Sequence, residues 1–290
     1  MGAGSSSGMG NADSKNAATS ADATSSPTNK KIQSLTAAKD QIDPRIAKYL
    51  VERLKSPDRE KSFMRIILKL PSIGDKFLKL QKAFEQFDSN GDGVIDEVEL
   101  AGALKVLGAD IDETQVRSIF ESADVHTENG LDIKSFIISL SLAYLFQVIP
   151  VQKDGSVALN VMTHSDQEGI KQAFAAGADM FLLFDEDAGG TITLDEVISV
   201  LSRMGRNDLA KKSTKNFSTG NDLSSLYIER FKEFDWDSDG SITFAEFLFA
   251  FIGWTDIEEL IEEEHEANES ENKEDNSKAE ASAAAPAKAE

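Results

Sequence analysis

Apolar residues recur every three to four positions through most of the interior of the chain, which is the period of an amphipathic helix. The apolar stripes come in short runs, and a polar, acidic stretch separates each run from the next. Leu80, Phe84 and Phe87 precede one such stretch, for example, and Leu100 and Leu104 continue the stripe after it. The pattern predicts repeated helix-loop-helix units and an all-α fold.

The polar stretch at residues 235–246 has the spacing of a twelve-residue EF-hand calcium loop. Such a loop offers side-chain oxygens at positions 1, 3 and 5, a carbonyl at position 7 and a bidentate glutamate at position 12. Gly240 stands at position 6, where the turn needs a positive φ. The predicted calcium ligands of this loop are Asp235, Asp237, Asp239, Ser241 and Glu246.

Residues 88–99 repeat this design, so the sequence predicts a second calcium site there. The apolar residues at position 8, Ile95 and Ile242, are expected to form short β-pairs with neighbouring loops. Asp96 at position 9 adds a carboxylate, which predicts that magnesium competes at this loop. The predicted ligands are Asp88, Asn90, Asp92, Val94, Asp96 and Glu99.

Residues 185–196 form a third loop in which the ligand set is incomplete. Gly189 stands at position 5 and has no side-chain oxygen, so weaker calcium binding is expected. With this loop included, the prediction is two to three calcium ions for the chain. The predicted ligands are Asp185, Asp187, Thr191 and Glu196.

Residues 124–135 form a degenerate fourth member of the set. Asp124, Glu128 and Asp132 remain, but His126 stands at position 3, Asn129 replaces the turn glycine and Ser135 replaces the glutamate. A serine cannot chelate in a bidentate manner, so this loop is predicted to be structural, retained because its hand pairs with the first one.

Composition and local signals predict the remaining organisation. Asp43-Pro44 and Ser56-Pro57 each place a capping residue before a proline, which favours helix starts at these points. The second of these helices is predicted to run through Phe63–Leu70, to end at Pro71 and to pack against the first hand pair. The predicted segments are a disordered low-complexity region over 1–42, a helical extension over 43–76, the first hand pair over 77–146, a linker over 147–168, the second hand pair over 169–256 and an acidic, disordered tail over 257–290.

Two further predictions concern the second half of the chain. The two loops of the second hand pair lie farther apart than those of the first pair, which predicts an insertion over 207–221. After the fourth loop, Trp254, Ile257, Leu260 and Ile261 continue an amphipathic stripe. This stripe is either the end of a helix packed in the core or a segment that folds back into the groove of its own hand pair until calcium or a target displaces it.

Charge and composition exclude several classes of function. The 290 residues carry a formal net charge of −21, which disfavours nucleic acid as a partner. The absence of cysteine excludes disulfides and zinc-thiolate sites and is compatible with the cytoplasm. The three histidines are scattered, and apart from the calcium loops no catalytic constellation is present, so no enzymatic activity is predicted.

A membrane role depends on the amino terminus alone. No apolar run reaches the length of a membrane span. Gly2, followed by a serine at position 6, fits the myristoylation pattern. Peripheral membrane contact is therefore expected only if Gly2 is acylated, and a single acyl chain binds membranes reversibly.

The four-loop layout resembles the calmodulin superfamily, and within it plant calmodulin-like proteins that have an additional helical segment at the amino terminus. The similarity is carried by Lys61–Pro71, by Phe84–Asp88 and by Arg230–Phe251 with Trp254. It implies a calcium-binding regulatory protein without catalytic activity. Few methionines fall in the hands and phenylalanine dominates, so a narrower range of partners than that of calmodulin is expected.

These observations favour a calcium sensor, in which calcium opens an apolar groove that binds an amphipathic, basic helix of a target protein. The alternative is a calcium buffer or structural protein, whose sites fill while the hands barely open. A third hypothesis is a tethered subunit that regulates an enzyme.

Overall fold

The computed structural model describes residues 26–38, 42–124, 130–149, 164–208 and 231–264, together with Met1, Ile228, Glu229 and Glu266. The motif at Gly2, the insertion from residue 209 onward and the far end of the tail lie outside these residues. None of the helices in the described ranges is long and apolar enough to cross a membrane. The helices are α1 Pro27–Ala37, α2 Pro44–Lys55, α3 Phe63–Ile67, α4 Leu70–Phe87, α5 Glu97–Val106, α6 Glu113–Ala123, α7 Ile133–Leu145, α8 His164–Phe184, α9 Leu194–Asp208 and α10 Phe244–Gly253. Residues 231–234 and 257–264 are also helical.

The helices that leave the first and fourth loops begin with capping boxes built from loop residues. Asp96 accepts a hydrogen bond from the backbone N–H of Glu99, and Glu99 accepts one from the N–H of Asp96. Thr243 and Glu246 repeat the arrangement at the start of α10. Positions 9 and 12 of these loops therefore fix where the next helix starts, and the all-α class is confirmed.

The loops pair through their position-8 residues, as predicted. Ile95 and Leu131 exchange two backbone hydrogen bonds of 2.9 Å, which joins the first loop to the degenerate second one. The strands β1 Ile192–Thr193 and β2 Ser241–Ile242 are antiparallel, with Ile192 opposite Ile242, and they join the third loop to the fourth. Each pair of hands is thus held together at the base of its loops.

The two hand pairs share one continuous hydrophobic core. Phe174 of α8 lies 5.8 Å from Phe77 of α4 and 6.0 Å from Tyr144 of α7, measured between ring centroids. The sequence predicted two domains joined by a linker over 147–168, but the cores on either side of that segment are in contact, and α8 already begins at His164. Residues 150–163 lie outside the described ranges.

The predicted disorder of residues 1–42 is wrong for residues 27–37, which form α1. Ser26 caps this helix by accepting a hydrogen bond from the N–H of Asn29, and Pro27 occupies its first turn. Leu35 is only 1% exposed, and Ile42, which follows the helix, is also buried. The segment is poor in apolar residues, but these few side chains reach the core and order it.

The helix predicted over 63–70 is also corrected. Ser56 ends α2 instead of starting a new helix, and Pro71 lies in the first turn of α4 instead of ending a helix. Proline is tolerated in a first turn because its missing N–H has no helical partner there. The short helix α3 packs on the second hand pair, not the first: the ring of Phe63 lies 5.9 Å from that of Phe184 at the end of α8.

The start of the tail packs against the first hand pair. The chain turns at Asp256, which has a φ of 55°, and continues as the helical residues 257–264. Ile257 is fully buried, and Glu264 forms a salt bridge of 3.1 Å with Lys82 of α4. Neither sequence alternative is complete, because residues 257–264 pack against the neighbouring hand pair, whereas Trp254 stays with its own hand pair, 6.1 Å from Phe247 between ring centroids.

Candidate metal centres

The fourth loop brings together three acidic side chains from positions 1, 3 and 5. Oxygens of Asp235, Asp237 and Asp239 lie within 4.8 Å of one another. The Asp235 carboxylate is held by the N–H of Gly240, which donates to Oδ2 over 3.1 Å, while its buried Oδ1 atom has no hydrogen-bond partner. An unsatisfied buried carboxylate oxygen is costly unless a cation coordinates it, so these residues fit a calcium ion.

Glu246 closes the fourth loop at position 12. Its Oε1 accepts from the N–H of Trp236 over 3.0 Å, and its Oε2 accepts from the N–H and the hydroxyl of Thr243, each over 2.7 Å. The carboxylate therefore faces the loop, and Glu246 as a whole is only 5% exposed. Ser241 occupies position 7, and its carbonyl contribution stays a prediction.

The first loop has the same backbone arrangement in a more exposed position. Asp88 accepts from the N–H groups of Gly91 and Gly93 over 2.8 and 3.0 Å, and Glu99 reaches across the loop to the N–H of Ser89 over 2.9 Å. The side-chain oxygens of Asn90 and Asp92 accept from backbone N–H groups inside the loop. The predicted side chains are thus assembled around one turn.

For two predicted ligands of the first loop, metal coordination stays a prediction. Oδ1 of Asp96 accepts from the N–H of Glu99 over 2.8 Å and so caps α5. Its role as a position-9 ligand stays a prediction, as does the carbonyl of Val94.

The third loop assembles its acidic residues around a buried first position. Oxygens of Asp185, Asp187 and Glu196 lie within 4.8 Å of one another, and Asp185 is fully buried. Burial, reinforced by the nearby Glu196 carboxylate and opposed by Lys31, raises the pKa of Asp185 to about 7. Since a ligand carboxylate must be deprotonated, protons compete with a cation at this loop near neutral pH. Thr191 at position 7 stays a predicted carbonyl ligand.

The second loop is described only at its two ends. His126, Glu128 and Asn129 lie outside the described residues. Asp132 caps α7 by accepting from the N–H of Ser135 over 2.7 Å, and Ser135 at position 12 is buried. Together with the Ile95–Leu131 bridge, this agrees with a pairing role, and the absence of calcium there stays a prediction.

Sequence reasoning missed Lys31, which lies directly behind the third loop. Its ammonium group donates to the backbone carbonyls of Leu182 and Asp185 over 3.1 and 2.5 Å. Burial lowers the pKa of Lys31, although the charges of the neighbouring acids oppose this effect. A signal was available, because Ser26-Pro27 is the same start signal as Asp43-Pro44 and places Lys31 on a helix.

Sequence reasoning also missed a buried charge cluster between the extension and α8. The Asp179 carboxylate, 1% exposed, accepts from Nε and Nη2 of Arg53 over 2.7 and 2.6 Å and from the N–H of Glu60 over 2.7 Å. The guanidinium of Arg59 lies 3.9 Å from the same carboxylate. No local sequence pattern reveals such a contact, because the partners are more than a hundred residues apart.

Comparisons with known proteins find EF-hand domains in two parts of the chain. The family model of an EF-hand domain pair matches residues 77–141, and that of a single EF hand matches residues 228–251. These matches contain the first, second and fourth loops, whereas the third loop lies in neither.

Several plant proteins are similar to most of the chain. The probable calcium-binding protein CML21 of Arabidopsis thaliana is 28% identical over 219 residues, which is 76% of this chain and 86% of the relative. The probable calcium-binding protein CML22 of the same plant is 26% identical over 76% of this chain and 90% of its own length. The calcium-binding allergen Bet v 3 of Betula pendula is 28% identical over 66% of this chain and 86% of its own length.

Proposed function

We propose that this chain, an EF-hand calcium-binding protein of the calmodulin superfamily that is similar to plant calmodulin-like proteins, is a calcium sensor. In this proposal the second hand pair binds an amphipathic helix of a target protein in response to calcium. The observation that carries the proposal is a cavity of about 550 Å³ between the second hand pair and α3.

The cavity is lined almost entirely by apolar side chains. Glu233 is the charged residue of its lining. A cavity of this size with an apolar lining is typical of a ligand or peptide site. The lining residues are Phe63, Ile67, Phe184, Ile192, Val197, Leu201, Phe231, Glu233, Phe234, Ile242, Phe247 and Trp254.

The cavity wall is directly connected to the metal centres. Phe184 precedes the first ligand of the third loop, Phe247 follows the last ligand of the fourth loop, and Ile192 and Ile242 form the β-pair between the loops. A bound calcium ion would supply a divalent positive charge next to the loop carboxylates that coordinate it. A shift of the Glu246 carboxylate therefore moves the first turn of α10 and with it the ring of Phe247, which changes the shape of the cavity.

The chemistry of the partner follows from the cavity and from α3. Phe63 and Ile67 lie four residues apart on α3 and form one wall of the cavity. A target helix with apolar anchors at this i, i+4 spacing would present the same kind of surface. Because the chain has a formal net charge of −21, basic residues flanking the anchors would speed the encounter.

The test is a calcium titration followed by an apolar-surface dye in constant magnesium. The sensor proposal expects a saturable rise in dye fluorescence. Glu246→Gln, which weakens the fourth site, should suppress most of this rise, whereas the matched Glu99→Gln should leave most of it intact. Calorimetry should show one ion fewer in each variant.

The outcomes separate the proposal from its alternative. Calcium binding without a dye response would make the chain a buffer or structural protein. A response that survives Glu246→Gln but disappears with Glu99→Gln would place the sensing surface in the first hand pair and contradict the role of the cavity.

A further inference from the structure

Two parts of the amino-terminal segment contact the third loop, namely helix α1 and Ile42. Lys31 donates to the carbonyl oxygens of Leu182 and Asp185, at the carboxyl end of α8. Ile42 packs on the turn of the loop so closely that a Cβ atom added to Gly190 would lie 3.0 Å from its Cβ and Cγ2 atoms. We call α1 together with Ile42 the strap.

The third loop differs from the other two predicted calcium loops where the strap covers it. Its position-4 residue Ala188 is fully buried and its position-6 residue Gly190 is also buried. The equivalent residues of the first and fourth loops are exposed, namely Gly91, Gly93, Ser238 and Gly240. At position 5, between the two buried residues, Gly189 replaces the aspartate of the other loops. Gly189, which weakens this loop as a metal site, thus lies next to Gly190, the turn residue on which Ile42 packs.

The charge of Lys31 is stabilised by the same acids that would bind the metal. Burying an ammonium group is costly unless opposite charges compensate it. The acids that act on Lys31 are Asp185, Glu186 and Glu196. Asp185 and Glu196 are predicted metal ligands, so a divalent cation in the loop would neutralise the charges on which the buried Lys31 depends. The cation would also repel Lys31 directly.

We propose that calcium in the third loop and docking of the strap oppose each other, so that calcium binding there releases α1 from the second hand pair. By thermodynamic linkage the reverse holds equally: the docked strap lowers the calcium affinity of the third loop. The inference rests on calcium binding at this loop and not on the sensor role, because release of α1 requires no target protein.

A single cysteine on α1 measures release directly, because the chain has no cysteine of its own. Leu35 is 1% exposed, so Leu35→Cys places a thiol at a buried position of α1. Calcium should raise the rate of its reaction with a thiol reagent by about tenfold or more, as expected when a buried site opens. Thr36→Cys, exposed on the same helix, should react quickly with or without calcium.

Two matched ligand variants assign the effect to the third loop. In the Leu35→Cys background, Glu196→Gln should abolish the acceleration, whereas Glu99→Gln in the first loop should retain it. Circular dichroism would confirm that each variant keeps its helical content. An unchanged rate with calcium, or an acceleration that persists in Glu196→Gln, would overturn the proposal.

The reciprocal effect is measured on calcium affinity. Lys31→Met removes the charge and keeps much of the apolar stem, so the affinity of the third loop should rise by about tenfold. Lys30→Met is the matched control, because Lys30 is exposed and should leave the affinity unchanged. Calorimetry identifies the relevant site as the one lost in Glu196→Gln. An affinity that falls or stays constant in Lys31→Met would contradict the antagonism.

Discussion

Replacing Asp179 with alanine should strongly destabilise the protein, because this residue connects the amino-terminal extension to the third hand. Asp179 lies on α8 and is 1% exposed, and its carboxylate accepts three hydrogen bonds of 2.6–2.7 Å from Arg53 and Glu60. Arg53 is itself 11% exposed. The variant would therefore leave a buried guanidinium and a backbone N–H without their acceptor.

The expected loss follows from the burial of the pair. Removing one partner of a buried ion pair costs about 3–5 kcal/mol, since the remaining charge stays desolvated. Arg59 increases the effect, because its Nε atom is buried, lacks a hydrogen-bond partner and lies 3.9 Å from the same carboxylate. Without Asp179, the two positive groups would face each other with only the exposed carboxylate of Asp58 near Arg53.

Asp58 provides a control on the same arginine. It forms a salt bridge of 3.2 Å with Arg53, but its side chain is 74% exposed. Exposed ion pairs are well solvated and screened, so Asp58→Ala should leave stability almost unchanged. The double variant Arg53→Met with Asp179→Leu should recover much of the stability lost in Asp179→Ala, because it removes both charges and keeps the volume.

Urea unfolding followed by circular dichroism measures these differences, with calcium chelated so that metal binding does not contribute. A loss below about 1 kcal/mol for Asp179→Ala would refute the reasoning, since it would mean that water or another group compensates Arg53. Equal losses for Asp179→Ala and Asp58→Ala would refute it as well.

Three further predictions address the tail, the extension and the second loop. Gly74→Ala should destabilise the protein by about 1–3 kcal/mol, because the new Cβ would lie 2.6 Å from the carbonyl oxygen of Thr255. Gly102→Ala, in open space within α5, should instead stabilise the protein by up to about 1 kcal/mol. Thermal unfolding of the two variants measures this difference. Partial burial alone would raise the pKa of Asp43, but the hydrogen bonds from Arg45 outweigh it and lower that pKa. Asp43→Ala should therefore cost about 1 kcal/mol at neutral pH, and its difference from the parent chain should shrink below about pH 4 as the carboxyl of the parent is protonated, which urea unfolding at several pH values would show. Asp124→Ala should leave the number of calcium ions in calorimetry unchanged, and a lost ion would contradict the structural role of the second loop.

The loops and their pairing could be predicted because their information is local. Within twelve residues, a loop such as 235–246 specifies the ligands, the turn glycine and the capping residue that starts the next helix. Thr243 and Glu246 illustrate this, since one short motif contains both the N-cap of α10 and the position-12 carboxylate. The β-pairs followed from the apolar residue at position 8 for the same reason.

The packing of the extension could not be predicted because it depends on contacts between distant parts of the chain. In the sequence, Asp179 is a single acid within an apolar stretch, and no neighbouring residue indicates that Arg53 pairs with it. The sequence places α3 against the wrong hand pair, because apolar density indicates that a helix is buried but not which surface buries it. The low apolar content before Asp43 was overridden by a few side chains, above all Leu35 and Ile42, that reach the core.

The shared core has a consequence for how the hands move. The helices α7 and α10, which leave the second and fourth loops, are in contact: the ammonium of Lys134 at the start of α7 lies 4.9 Å from the ring of Phe249 on α10. Lys134 also forms a 2.8 Å salt bridge with Glu258 of the helical residues 257–264. The reorientation of α10 that the sensor proposal requires would therefore act on α7 and, through the Ile95–Leu131 bridge, on the first calcium loop. The predicted absence of an ion in the second loop fits this arrangement, since α7 would then respond only to its neighbours. The two hand pairs thus share one hydrophobic core and are in direct contact.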